Sequence, residues 1–185
     1  MKIKKIKNQK GFTVLESIVA IMILSLAISG VFAAVQRGLS QSIIAKDEVK
    51  AFYLAQEAVE IIRNKRDNNQ LSKINLGTGH WLAGISENSG DACYFGKICR
   101  ADIYDFSLTR CSEVNNDWDS CPNLEQSSDS YVFSYGRNWP ETNFKREIQL
   151  ESISANEIAV IVRISWKKGL VTKEFKVKTI LFDWI

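Results

Sequence analysis

Residues 12–35 read FTVLESIVAIMILSLAISGVFAAV, and their only charge is Glu16. No other feature restricts this chain so strongly. Residues 17–35 carry no charge at all, and as an α-helix they rise about 28 Å, close to the hydrocarbon thickness of a bilayer. They can therefore span a membrane. Lys2, Lys4, Lys5, Lys7 and Lys10 stand before the run, while only Arg37 and Lys46 follow it closely. That asymmetry predicts a cytoplasmic N-terminus and an extracytoplasmic body.

The 185 residues leave room for one ordinary domain beyond such a helix. The formal charge of +3 comes from the N-terminal arm: without its five lysines, 19 basic residues face 21 acidic ones. Nucleic acid is thus not expected as the main partner, because a reader of nucleic acid concentrates positive charge on its folded part.

Beyond the apolar run, helical periodicity continues. Ala51, Phe52, Leu54, Ala55, Ala58, Val59, Ile61 and Ile62 fill one half of a helical wheel, opposite Lys50, Gln56, Glu57, Glu60, Arg63 and Asn64. This predicts a helix with one buried face. Gly30 and Gly38 are points where it can loosen, and residues 66–70, RDNNQ, read as its end. Residues 71–130 are rich in Gly, Asn, Asp and Ser, and predict loops with a short strand at 103–109. Three strand patterns follow. Phe144, Arg146, Ile148 and Leu150 alternate with Lys145, Glu147, Gln149 and Glu151; residues 158–166 are a run rich in β-branched residues; and Phe175, Val177, Thr179 and Leu181 alternate with more polar neighbours. Lys168-Gly169 is the expected hairpin turn between the last two. The expected fold class is α+β: a long N-terminal helix on a C-terminal antiparallel sheet. The expected divisions are 1–11, 12–35, 36–66, 67–130 and 131–185.

All four cysteines, Cys93, Cys99, Cys111 and Cys121, lie in the loop-rich region, and no pair has the C-x-x-C spacing of a zinc or redox site. Two disulfides are expected. Three pairings are open, and loop-closure entropy favours the sequence neighbours, Cys93 with Cys99 and Cys111 with Cys121. Unpaired buried thiols are the alternative in a reducing compartment.

Signals of catalysis are thin. His80 sits in a glycine-flanked loop with no nucleophile nearby, so no acid, base and nucleophile set assembles and no cofactor is implied. Asn115, Asp117 and Asp119 space oxygens at alternate positions, but the glycine and glutamate of a calcium loop are missing. A solvated acidic turn is the stronger reading there, and calcium at Asp117 and Asp119 the lesser one. Trp166 and Trp184 are expected in sheet packing, whereas Trp118 and Trp139 lie in loops where an aromatic suggests contact.

The run Lys10-Gly11-Phe12-Thr13-Val14-Leu15-Glu16, ahead of an apolar helix, resembles the processing site of the type IV prepilins and type II secretion pseudopilins. The resemblance implies cleavage between Gly11 and Phe12 by prepilin peptidase, N-methylation of Phe12, and an assembly role for Glu16. Implied partners are other pilin or pseudopilin subunits and the inner membrane. Residues 51–67 and the terminal Phe182-Asp183-Trp184 are similar to a branch of minor pilins and pseudopilins. From the family one expects a helix packed on a four-stranded antiparallel sheet, with a variable region between. Two rival readings are a secretory signal cleaved after Val31-Phe32-Ala33, and a single-pass binding protein or adhesin that keeps Met1 and does not polymerise.

Overall fold

The computed structural model describes residue 11, residues 13–112 and residues 116–184. Contacts divide the chain into two compact units, Met1–Lys46 and Asp47–Ile185. One helix, α1 (Val14–Leu76), contributes to both.

In the first unit the helix starts at a cap. Thr13 Oγ1 accepts the Glu16 backbone N–H at 3.2 Å, and Thr13 O accepts the Ser17 N–H at 3.1 Å. The first bond satisfies one of the first turn's free donors, and the second is the first intrahelical bond, accepted by the cap residue's carbonyl. The polar side chains within the apolar run are also satisfied locally: the hydroxyls of Ser25 and Ser29 donate to the carbonyls of Ile21 and Ser25, each at 2.8 Å. Such back-bonding lets serine sit in hydrocarbon without a stranded donor. Gly30 and Gly38 do not interrupt the helix. α1 is long and apolar enough to cross a membrane.

In the second unit, residues 47–76 of α1 bury Ala51, Leu54, Ala55, Ala58, Val59, Ile61 and Ile62. Phe52 departs from the wheel: it is half exposed, and it meets the Phe175 ring edge-on, centroids 6.1 Å apart. The helix also outruns its expected end at residues 66–70. Arg66 Nη1 donates to Phe182 O at 2.7 Å, and Gln70 Nε2 to Asp183 Oδ1 at 2.7 Å. Asn69 Nδ2 donates to the carbonyls of Trp81 and Ala83 at 3.1 and 2.9 Å. Side chains that would compete with a helix in isolation are engaged by the rest of the unit instead. The helix stops at Gly77, which takes φ +68° and donates its N–H to Lys73 O. A left-handed glycine is a common helix terminator.

Seven strands follow: β1 (Ile98–Ala101), β2 (Leu108–Arg110), β3 (Asn123–Gln126), β4 (Phe133–Ser134), β5 (Glu141–Ser154), β6 (Glu157–Lys168) and β7 (Val171–Phe182). All pairings are antiparallel. β5, β6 and β7 form a meander in which Phe144 faces Trp166 and Leu150 faces Val160 across β5–β6. The other edge of β5 is divided. Its first half pairs β3, with Asn123 opposite Lys145, and its second half pairs β1, with Cys99 opposite Ile148.

The result corrects three expectations. Among the described residues the sheet has seven strands rather than four, because the loop-rich region adds its own strands to β5. The single strand expected at 103–109 is instead two short strands, β1 and β2, on either side of a turn. The β6–β7 turn is also one residue later than expected: Lys168 still pairs Val171, and Gly169-Leu170 make the turn. Gly169 has φ +61°, the requirement of the first central position in a II′ hairpin.

One apolar cluster joins the helix face to the inner face of the sheet through Phe144, Ile148, Leu150, Ile158, Val160, Val162, Ile164, Trp166 and Leu181. Trp81, Leu82 and Ile85 close its margin. Trp166 is in that core and stacks on Phe144, but Trp184 is largely exposed, contrary to expectation. Past residue 182 the chain has left the sheet, which leaves that ring more exposed than covered.

Candidate processing and assembly site

The described part of the predicted cleavage site lies open. Gly11 is exposed with nothing within 4 Å of where a side chain would project. Phe12, the expected residue of cleavage and methylation, lies outside the described residues, as do the five lysines before it. Thr13 caps the helix, and Glu16 stands one turn in, exposed, between the exposed Leu15 and Ser17. Among the described residues no cation pairs with Glu16. A carboxylate in the first helical turn is favoured by the helix dipole, and T-x-x-E is the signature of a capping box. Thr13's part in fixing the helix start was therefore legible as a pattern and was missed by attention to charge alone.

The cysteines lie in the second unit. Cys93 bonds to Cys99, with Cα atoms 5.2 Å apart, and Cys111 to Cys121, at 4.7 Å. The first ties the segment after α1 to β1, and the second ties the end of β2 to the start of β3. Both loops thereby lose chain entropy in the unfolded state.

The second bond holds a loop over the outer face of the sheet, where Glu147 is fully buried beside Arg163. Glu147 accepts the Cys121 backbone N–H at 3.3 Å and meets Arg163 Nη1 at 3.4 Å. Burial pushes its carboxyl above the ordinary glutamate range, and the Cys121 N–H and the guanidinium only partly oppose this. Arg163 also pairs Asp119 at 3.2 Å and Glu174 at 3.1 Å, and lies over the Trp118 ring. Trp118 therefore pins the loop, with Lys176 against the same ring. Asp119 is committed to Arg163, and Asp117 is exposed. Among the described residues no group of three or more His, Cys, Asp or Glu side chains could hold a metal ion.

On the inner face Arg146 is fully buried. It ion-pairs Glu57 of α1 and donates to Ala101 O at 2.7 Å, while Tyr135 Oη donates to Arg146 O at 3.2 Å. A further bond reaches Leu54 O at 3.5 Å. This cross-tie between helix and sheet was not foreseen: Arg146 was correctly placed in the apolar alternation, but a sequence does not show which acid will face it.

Elsewhere, Trp139 is half-buried and meets Tyr104 edge-on at 6.3 Å. His80 is exposed, and its Nδ1 accepts the Leu82 N–H at 3.1 Å. These are local supports, and they assemble no catalytic set.

A family model described as the prokaryotic N-terminal methylation motif matches residues 6–32. No curated protein and no solved structure matches the chain. The matched stretch spans Gly11, Thr13, Glu16 and most of the apolar run, and behind it stands the long helix followed by an antiparallel sheet. The chain thus carries a prokaryotic N-terminal methylation motif directly ahead of its long helix.

Proposed function

We propose that the chain is a minor pilin or pseudopilin: a non-enzymatic subunit of a type IV pilus or type II secretion filament, assembled through its N-terminal helix. The observation that carries this reading is the methylation motif directly ahead of an apolar helix long enough to span a bilayer. Residues 1–11 are the leader, 12–35 the membrane and assembly segment, 36–66 its amphipathic continuation, 67–130 the cysteine-bearing variable region and 131–185 the closing sheet. The N-terminus is cytoplasmic before processing and the body lies outside the inner membrane, a compartment that suits two disulfides.

Glu16 supplies the mechanism. A carboxylate within a membrane segment costs roughly 2.5–3.5 kcal/mol on insertion scales and persists by finding a partner. Cleavage after Gly11 creates an ammonium on Phe12. In a staggered stack of helices the ammonium of one subunit meets Glu16 of the next, so processing switches assembly on. The test is Glu16→Ala in cells that make the filament. The variant is expected to be cleaved normally and to be missing from filaments; normal incorporation refutes the role of Glu16. Intact mass of membrane-purified protein tests the rest, with a start at methylated Phe12 expected. A start at Met1 or at Ala34 overturns it in favour of the non-polymerising anchor or the secretory signal.

A further inference from the structure

β7 closes one side of the sheet: it pairs β6 along its whole length and, among the described residues, no strand on its other side. Which of its backbone groups are left over follows from the hairpin. Across a two-residue turn the closing pair, Lys168 with Val171, exchanges both hydrogen bonds, and that alternation continues along the ladder. At the far end the Asp183 N–H, which donates to Asn156 O at 2.8 Å, falls in the same phase. Odd-numbered residues of β7 therefore bond to β6. Thr172, Glu174, Lys176, Lys178 and Ile180 turn both N–H and C=O outward, over roughly 27 Å of strand.

Folded proteins commonly close such an edge with a bulge, a proline, a covering element or lysines. β7 has the lysines alone. Its residues pair β6 without a register shift, and it holds neither proline nor glycine. On the helix side the edge row is Lys173, Phe175, Val177 and Thr179, in which Phe175 and Val177 are only partly buried. Phe52 of α1, half exposed, lies edge-on to Phe175. On the outer side Lys178 pairs Glu151 at 2.9 Å, and Glu174 pairs Arg163 at 3.1 Å while standing 3.7 Å from Lys176. Arg163 is further met by Asp119 and Glu147. Two cations remain in excess: Lys173 has no acid partner among the described residues, and Lys176 shares its one acid with Arg163.

We infer that the free edge of β7 receives an extended acidic segment of a partner protein as a further strand, with apolar side chains over Phe52, Phe175 and Val177 and acidic ones beside Lys173 and Lys176. In such an addition the main-chain bonds give affinity and the alternate side chains give specificity. A basic segment is disfavoured, because like charges on neighbouring strands repel. The edge belongs wholly to the second unit, so this docking stands whether or not the N-terminal motif is processed.

The test uses the full chain in detergent micelles with two short synthetic probes, one alternating valine with glutamate and the other valine with lysine. Site-resolved amide exchange is the readout. At saturation the glutamate probe is expected to slow exchange about tenfold at Glu174, Lys176 and Lys178, and to leave Phe175 and Val177, already bonded to β6, unchanged. The lysine probe is expected to protect nothing. Lys176→Pro removes only an outward donor and spares the β6 ladder, and it is expected to abolish the protection. Lys176→Gln loses the same charge, keeps the donor, and is expected to retain most of it. A fully N-methylated glutamate probe makes the same comparison on the parent chain, independently of how the proline variant folds, and is expected to give no protection. Protection by both probes, by neither, by the N-methylated probe, or by the glutamate probe on a folded proline variant overturns the docking. Protection that grows with protein concentration in the absence of any probe also overturns it, and assigns the edge to a second copy.

Discussion

Replacing Glu57 by alanine strands a buried charge, and the structure sets the size of the loss. The Arg146 side chain has no exposed surface, while that of Glu57 retains 24%. Without the carboxylate, the guanidinium keeps the Ala101 carbonyl at 2.7 Å and the distant Leu54 carbonyl at 3.5 Å, and its Nε already has no partner. Breaking one side of a buried pair typically costs about 3–5 kcal/mol. Because Glu57 borders solvent, water can enter where it stood, which places the expected loss near the lower end, about 3 kcal/mol. For a protein of this size that lowers Tm by roughly 6–12 °C. The assay is thermal unfolding of the full chain in detergent, followed by near-ultraviolet circular dichroism. A second variant separates stranded charge from lost packing: Glu57→Ala combined with Arg146→Met removes both charges and is expected to recover most of the loss, since apolar replacements of buried pairs are often neutral or better. A loss under about 1 kcal/mol for the single variant refutes the reasoning, since breaking a buried pair costs more than this. A double variant no more stable than the single one does the same.

Three further outcomes follow from other parts of the body. Burial alone would raise the Glu125 carboxyl, but the N–H groups of Arg137 at 2.8 Å, Trp139 at 3.1 Å and Gly136 at 3.0 Å together hold it below the ordinary range. Its stabilising effect is therefore complete above the unfolded value of about 4.3 and is lost as pH falls through the lower folded value. Hydrogen-exchange protection at those three amides, relative to the intrinsic rate at each pH, should fall below about pH 4 in the parent, and Glu125→Gln should flatten that dependence. Cys111→Ser opens a loop of ten-residue separation and is expected to cost about 2–3 kcal/mol by urea unfolding; no change in midpoint would refute a structural role for that bond. Gly77→Ala meets no neighbour within 4 Å, so only its φ of +68° opposes a side chain; the expected cost is about 1 kcal/mol in the same assay, and a neutral result would refute the strain argument.

The long helix, the three closing strands and the helix-then-sheet order were all legible, because each rests on periodicity within a single segment. What the sequence concealed depends on partners distant along the chain. Residues 66–70 look like a helix end until Arg66, Asn69 and Gln70 find acceptors at Phe182, Trp81, Ala83 and Asp183. Strands β1 to β4 are two to four residues long and are too short to announce themselves; β1 and β3 exist because the edge of β5 accepts them. Glu147 alternates with apolar residues as an outward position should, and only the cysteine-closed loop above it makes it buried. At the N-terminus the methylation motif was legible because its residues lie within one short segment, the stretch that the family model matches. The exception is the Thr13 cap, which is geometric rather than electrostatic.

The grip of Arg66 and Gln70 on residues 182 and 183 bears on the order of events during synthesis. The second half of the helix emerges early, but the acceptors that hold its last turns in place emerge more than a hundred residues later. Until β5 and β6 arrive, the apolar stripe from Ala51 to Ile62 has no sheet to cover it. The body must therefore wait, open and adhesive, for nearly its whole length to be delivered, and any factor that shields the stripe meanwhile decides the yield.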